Sequence, residues 1–166
     1  IRENYPPAAF YGAMNFLGTH DTARILTLLG AAQTPEDKPA RAAYRLSPDE
    51  LTRGRRKLRL AGMLLYTFPG SPTLYYGDEA GMQGFEDPLN RGTYPWGQED
   101  EALLAFFRQL GQLRSQRLSL RRGDIRYLYA QGGGLVIERR CGDERTVTAM
   151  NAGTQVLTLA LDWDGP

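Results

Sequence analysis

The sequence predicts an α/β segment up to about residue 117 followed by an antiparallel all-β segment over 118–166. Three observations carry that division. Two short apolar runs without alternation, 13–18 and 73–76, read as buried parallel strands. Apolar residues at helical spacing lie between and after them. Beyond Leu118 the period changes to two, around a turn at Gly132-Gly133-Gly134.

Taken in order, Ala13-Met14-Asn15-Phe16-Leu17-Gly18 is the first strand, and it ends in a polar cluster. Thr22 to Ala32 is helix material around Ile25, Leu26, Leu28 and Leu29, and a polar, proline-containing link then runs to Leu46. Ser47-Pro48-Asp49-Glu50 starts the next helix: Ser47 caps, Pro48 suits the first helical position, and Glu50 completes a capping box. Leu58, Ala61, Gly62 and Leu65 recur there at i, i+3, i+4, i+7. The basic half of that helix (Arg53, Arg55, Arg56, Lys57, Arg59) reads as a solvated face, because no aromatics interleave the charges.

Pro69-Gly70-Ser71-Pro72 ends the helix, and the strand Thr73-Leu74-Tyr75-Tyr76 closes at Gly77. Residues 78–97 show no period, and an irregular stretch of that length in a compact domain is usually functional. Glu99, Asp100 and Glu101 open another helix at its positive dipole end. That helix is expected to bury Leu103, Phe106, Phe107, Leu110 and Leu113. Gly111 inside it costs about 1 kcal/mol relative to Ala, which points to close packing there. Strands follow at 125–130, 135–140, 146–150 and 155–161.

Composition removes several function classes. The 166 residues are too few for a whole eight-fold β/α barrel, which takes about 250. With 20 basic and 19 acidic side chains, the chain lacks the basic excess of a nucleic-acid binder. No apolar run is long enough to span a bilayer, so no membrane partner is expected. Cys141 stands alone, which excludes an intramolecular disulfide and a cysteine zinc site, and neither metal nor cofactor is expected. The chain does not begin with Met and shows no leader, so it reads as a piece of a longer polypeptide. A cytoplasmic location is expected, with a secreted one left open.

Three clusters carry chemistry. Gly18-Thr19-His20-Asp21 lies at the carboxyl end of a parallel strand, where catalytic groups of α/β folds gather. His20 is the only histidine, and an ordinary structural His–Asp pair weighs about evenly against a catalytic one. Tyr75-Tyr76-Gly77-Asp78-Glu79 follows the second strand; consecutive carboxylates point in different directions, so one structural and one solvated acid is the simpler reading. Asp87-Pro88-Leu89-Asn90-Arg91 with Tyr94-Pro95-Trp96 offers hydrogen bonds for sugar hydroxyls and aromatic faces for a pyranose. Its bland counterpart is a surface loop with an internal Asp–Arg pair and a Trp anchored in the core.

In this order and spacing, Asn15-Phe-Leu-Gly-Thr-His-Asp-Thr22, Pro69-Gly-Ser-Pro-Thr-Leu-Tyr-Tyr-Gly-Asp-Glu-Ala-Gly-Met82 and Asp87-Pro-Leu-Asn-Arg91 resemble the last third of the alpha-amylase superfamily of glycoside hydrolases. The flavour is that of the neopullulanase and cyclomaltodextrinase branch. The resemblance implies that 1–117 is the end of a (β/α)8 barrel, strands seven and eight with their helices, and that 118–166 begins an incomplete β-sandwich.

It also implies an α-glucan oligosaccharide as partner. Asp21 would be the carboxylate that stabilises the transition state, and His20 a hydrogen-bond donor to the sugar. Asp87 and Arg91 would line the glycone side; Tyr94 and Trp96 are expected, from their aromatic faces, to bind substrate as well. Asp78 and Glu79 would support the site. Retaining hydrolysis needs a nucleophile and a protonated acid about 5–5.5 Å apart, and in this family both come from strands that no segment here represents. The chain alone is therefore expected to be inactive, and its open barrel edges to favour self-association. A non-catalytic carbohydrate-binding or regulatory module is the alternative. Hydrolysis and transglycosylation, and α-1,4 and α-1,6 linkages, are not separated by these residues.

Overall fold

The computed structural model describes residues 4–160. Helix α1 (Pro7–Tyr11) precedes strand β1 (Met14–Phe16). Then come α2 (Ile25–Gly30), α3 (Lys38–Ala43) and α4 (Pro48–Thr67), which lead to strand β2 (Ser71–Thr73). β1 and β2 pair in parallel, Met14 opposite Ser71 and Phe16 opposite Thr73. Both strands are shorter than their apolar runs suggest. β2 also starts earlier than expected: Leu74, Tyr75 and Tyr76 have no partner beyond Phe16 and turn into the loop instead.

The helix expected from Thr22 begins only at Ile25, because Thr22 is taken up in a turn with Thr19 and Arg24 is extended. The supposed link contains α3, capped by Asp37, whose carboxylate accepts from the Ala40 N–H at 2.7 Å. Ser47 and Glu50 form the expected capping box. Glu50 does more than cap: its Oε1 also accepts from the Ala32 N–H at 2.6 Å and the Tyr44 hydroxyl at 2.5 Å. Led by the Tyr44 bond, these donors hold its carboxyl down at about 2. One carboxylate thereby ties the α2–α4 connection to the start of α4.

Helix α5 (Glu101–Gln116) packs on α4, with Asp100 as its cap. Ile25, Leu26, Leu58, Leu103, Phe107 and Leu110 from α2, α4 and α5 make one buried cluster with Leu46 from the α3–α4 connection. Phe106 is only half-buried and Leu113 exposed, so the α5 stripe is narrower than its sequence implies. A one-turn helix α6 (Leu118–Arg122), hidden from a period-two reading, precedes β3 (Asp124–Gln131), β4 (Gly134–Cys141) and β5 (Glu144–Asn151). These form a three-stranded antiparallel sheet in the order β3-β4-β5.

The expected fourth strand is not formed over 155–160; Leu161 lies outside the described residues. The Asn151 side chain donates to Gln155 O at 2.8 Å and Ala152 N–H to Gly133 O at 2.8 Å. Those bonds carry the chain across the β3–β4 turn instead of back along β5.

Candidate active site

His20, Asp21, Asp78, Asp87 and Arg91 gather beyond the carboxyl ends of β1 and β2. Gly18 follows β1 where Asp78, just beyond β2, comes so close that a Cβ at residue 18 would lie 2.7 Å from Asp78 Oδ2. The next four residues form a tight turn. Thr22 Oγ1 accepts from the Thr19 N–H and Thr19 Oγ1 from the Asp21 N–H, both at 3.2 Å. That turn throws the side chains of His20 and Asp21 outward, 63% and 74% exposed.

Beneath the turn lies a buried pair. Arg24, fully enclosed, reaches Asp78 Oδ1 with Nη1 at 3.2 Å and also donates to Tyr76 O. Its Nε and Nη2 find no hydrogen-bond partner among the described residues. The guanidinium instead lies against the rings of Tyr75 and Tyr76, 4.2 and 4.6 Å from their centroids. Burial pushes the Asp78 carboxyl up to about 6 even against the pull of Arg24.

The second loop docks on the first. Gly84 accepts from the Arg24 N–H and donates to Thr27 Oγ1, both at 2.9 Å. Glu86 pairs with Arg41 from α3. A turn with Leu89 N–H on Glu86 O and Arg91 N–H on Pro88 O brings Asp87 and Arg91 to the same side. Arg91 Nε sits 2.7 Å from Asp87 Oδ1, and its Nη2 is 3.9 Å from Asp21 Oδ1. His20 Nε2 is 3.3 Å from that same oxygen. Asn90, fully buried, donates through Nδ2 to the carbonyls of His20 and Thr22 at 2.8 and 2.7 Å.

Four of the six residues singled out in the sequence, His20, Asp21, Asp87 and Arg91, therefore form one exposed cluster with its charges facing each other. The other two, Tyr94 and Trp96, pair with each other. Their rings tilt against each other at 4.6 Å, and Trp96 is 81% exposed and not a core anchor. Burial and the neighbouring Glu79 push the Tyr94 hydroxyl up. The loop that carries them is fixed by the Tyr76 hydroxyl, which donates to Gly92 O at 2.7 Å. Among the described residues, no group of three His, Cys, Asp or Glu could hold a metal ion.

Two residues escaped the sequence reading. Arg24 left a signal, a lone cation inside the apolar run Ala23-Arg24-Ile25-Leu26, which forecasts a buried counter-ion. Asn90 left none, since an Asn in a Pro- and Gly-rich loop is ordinary turn composition.

This geometry defines a loop-end site on a parallel α/β scaffold, and the comparisons supply its family. The model of the alpha-amylase catalytic domain matches residues 7–112, and the chain belongs to that family. An amylopullulanase of Thermoanaerobacter thermohydrosulfuricus is 43% identical over 140 residues, covering 84% of this chain and 9% of that protein. A cyclomaltodextrinase of Geobacillus thermopakistaniensis is 32% identical over 168 residues, covering 99% of this chain and 25% of the relative. The crystal structure of a debranching enzyme from Nostoc punctiforme superposes with a TM-score of 0.77 at 32% identity, over 96% of this chain and 28% of that one. The fold is of the alpha-amylase type. The chain spans a tenth or less of the amylopullulanases it matches, 9%, 10% and 7% of their lengths.

Proposed function

We propose that this chain is the closing part of the catalytic barrel of a retaining α-glucan hydrolase, with the start of a β-sandwich after it. In this reading β1 and β2 are the barrel's seventh and eighth strands, and the boundary falls near residue 117. Starch-type oligosaccharides (linear maltooligosaccharides, cyclodextrins or pullulan) are the substrates. One observation supports this above the rest: His20 and Arg91, from loops after two neighbouring parallel strands, converge on the same carboxylate oxygen of Asp21.

The roles follow from charge and exposure. An oxocarbenium-like transition state places positive charge on the sugar ring, and Asp21 faces it with an open carboxylate. His20 donates to a ring hydroxyl beside it. Asp87 and Arg91, already paired, present an acceptor and a forked donor to vicinal hydroxyls. Tyr94 and Trp96 offer an aromatic platform to the apolar face of a further sugar unit.

In this reading the opposed nucleophile and acid are not among the described residues around Asp21 and come from earlier barrel strands of the longer protein. The free edges of β1 and β2, with Met14 and Phe16 exposed beside them, are where such a strand or a second copy of the chain would pair.

Turnover of a chromogenic maltooligosaccharide tests the assignment. In the full-length protein Asp21→Asn should lower kcat by about a thousandfold or more with little change in KM, as expected of a group acting on the transition state. The 166-residue chain alone should show no turnover; turnover abolished by Asp21→Ala would overturn the division of labour. Tight maltooligosaccharide binding by titration calorimetry with no hydrolysis in the full-length protein would favour a binding module instead.

A further inference from the structure

We infer that Asn90 is a positioning residue whose carboxamide latches the Asp21 loop to the Asp87–Arg91 loop and so sets the spacing between the Asp21 carboxylate and the Arg91 guanidinium. The inference rests on the hydrolase reading above for its catalytic consequence, though not for its geometry.

The site's own charges cannot hold that spacing. Arg91 Nη2 stands 3.9 Å from Asp21 Oδ1, at the outer edge of an ion pair, and the Asp21 side chain is 74% exposed. Pairs of this kind in water contribute almost nothing to structure. Asn90 has what the exposed pair lacks. It is fully buried, and Nδ2 lies 2.8 Å from His20 O and 2.7 Å from Thr22 O, the carbonyls on either side of Asp21.

Two carbonyl oxygens at bonding distance from one atom require that atom to carry two hydrogens, which here only the amide nitrogen does. Asn90 Oδ1 is buried with no hydrogen-bond partner among the described residues, so the donor half of the amide fixes its orientation. A carboxylate at residue 90 would set an oxygen against two others, with burial to aggravate the repulsion.

The latch also transmits its position. Arg91 is the next residue, its N–H bonded to Pro88 O at 3.1 Å, and its Nε is held by Asp87 at 2.7 Å. A shift of the Asn90 backbone therefore moves Arg91 relative to Asp21. On the other side, Thr19 and Thr22 bond the turn internally, so the two carbonyls cannot move without carrying Asp21 along.

The test uses the full-length protein. Asn90→Asp and Asn90→Leu should each lower kcat for a maltooligosaccharide about a hundredfold, normalised to folded protein, with KM within threefold, since misplacement by about 1 Å costs that much. A loss seen only as fewer folded molecules, with kcat per molecule unchanged, would overturn the inference. Should both variants fail to fold, the wild-type protein decides. With 15N-asparagine labelling, the Asn90 side-chain amide should exchange with solvent at least a hundredfold slower than exposed asparagines, and exchange at the exposed rate would overturn the latch. Asp21→Asn separates the two readings: full activity in that variant sinks the hydrolase assignment while leaving the amide protection to stand or fall by itself.

Discussion

Arginines bolt both ends of β2, Arg24 and Arg139 fully buried and Arg114 half-buried, but they are compensated in opposite ways. At the carboxyl end Arg24 meets a carboxylate, one carbonyl and two tyrosine faces. At the amino end Arg114 donates to the carbonyls of Tyr66, Phe68 and Gly70. Arg139, from β4, donates to Thr67 O at 2.7 Å and to Gly123 O at 2.8 Å. Those acceptors include the last carbonyls of α4, which have no partner inside the helix and sit at the negative end of its dipole. A cation there needs no acid beside it. It also carries a structural task, since Arg139 links the sheet to the end of α4. Where a counter-ion is present, as at Asp78, the bolt becomes sensitive to pH, and it lies directly beneath the loop of Asp21.

The largest effect should come from breaking the carboxylate-compensated end. Asp78→Ala leaves the Arg24 charge buried with only Tyr76 O and the two rings, and should cost about 3–5 kcal/mol at neutral pH by denaturant unfolding. Asp78→Asn keeps an acceptor and should cost less. The two ends should also differ in their pH response. The Asp78 carboxyl titrates near 6 in the folded chain, above its ordinary 3.8. The native state therefore binds this proton more readily than the unfolded one. The contribution of this group to stability rises as pH falls from 6 towards 4, and is lost as pH climbs back through that window. Asp78→Asn should flatten that part of the stability profile.

Second in size is the carbonyl-compensated end. Arg139→Met fills much of the same space but strips the buried carbonyls of Thr67 and Gly123 of their donor, at a cost of about 2–3 kcal/mol. Burial pulls the Arg139 pKa down to about 10, so it stays charged throughout the neutral range. Its removal should leave the profile between pH 4 and 6 unchanged. A changed slope there would show that the two ends are electrostatically linked, and the contrast between them would fail.

This contrast also explains what the sequence could and could not reveal. The capping box at Ser47 and Glu50, the α4 stripe and the β3–β4 hairpin were legible because their signals are local and periodic. The cluster of His20, Asp21, Asp87 and Arg91 was legible because each member sits in a short, dense motif next to a strand end. The compensation of the arginines was not, because it is made across long separations: Arg139 to Thr67, Arg114 to Gly70, Arg24 to Asp78. Nor was Asn90, whose value depends on two carbonyls that every residue possesses. Short helices such as α3 and α6 escaped because a single turn shows no period.

Two glycines on the α4–α5 contact give the smallest effect and a finer version of the same lesson, that spacing shows where a glycine lies but not what faces it. At Gly62 a Cβ would come 2.9 Å from Phe107 Cε1 and 3.1 Å from its Cζ, so the helices meet through that glycine. At Gly111, where close packing was expected, the nearest atom is Tyr66 Cε1 at 3.9 Å, an ordinary contact. Glycine there costs the helix its backbone entropy without bringing the helices closer. Gly111→Ala should therefore stabilise the protein by about 0.5–1 kcal/mol, read as a rise in the denaturant midpoint. Gly62→Ala should shift the midpoint the other way, because the buried ring of Phe107 would have to leave its place in the core. If Gly111→Ala also destabilised, α5 would have to lie closer to α4 than the 3.9 Å contact implies, and the expectation of close packing there would be restored.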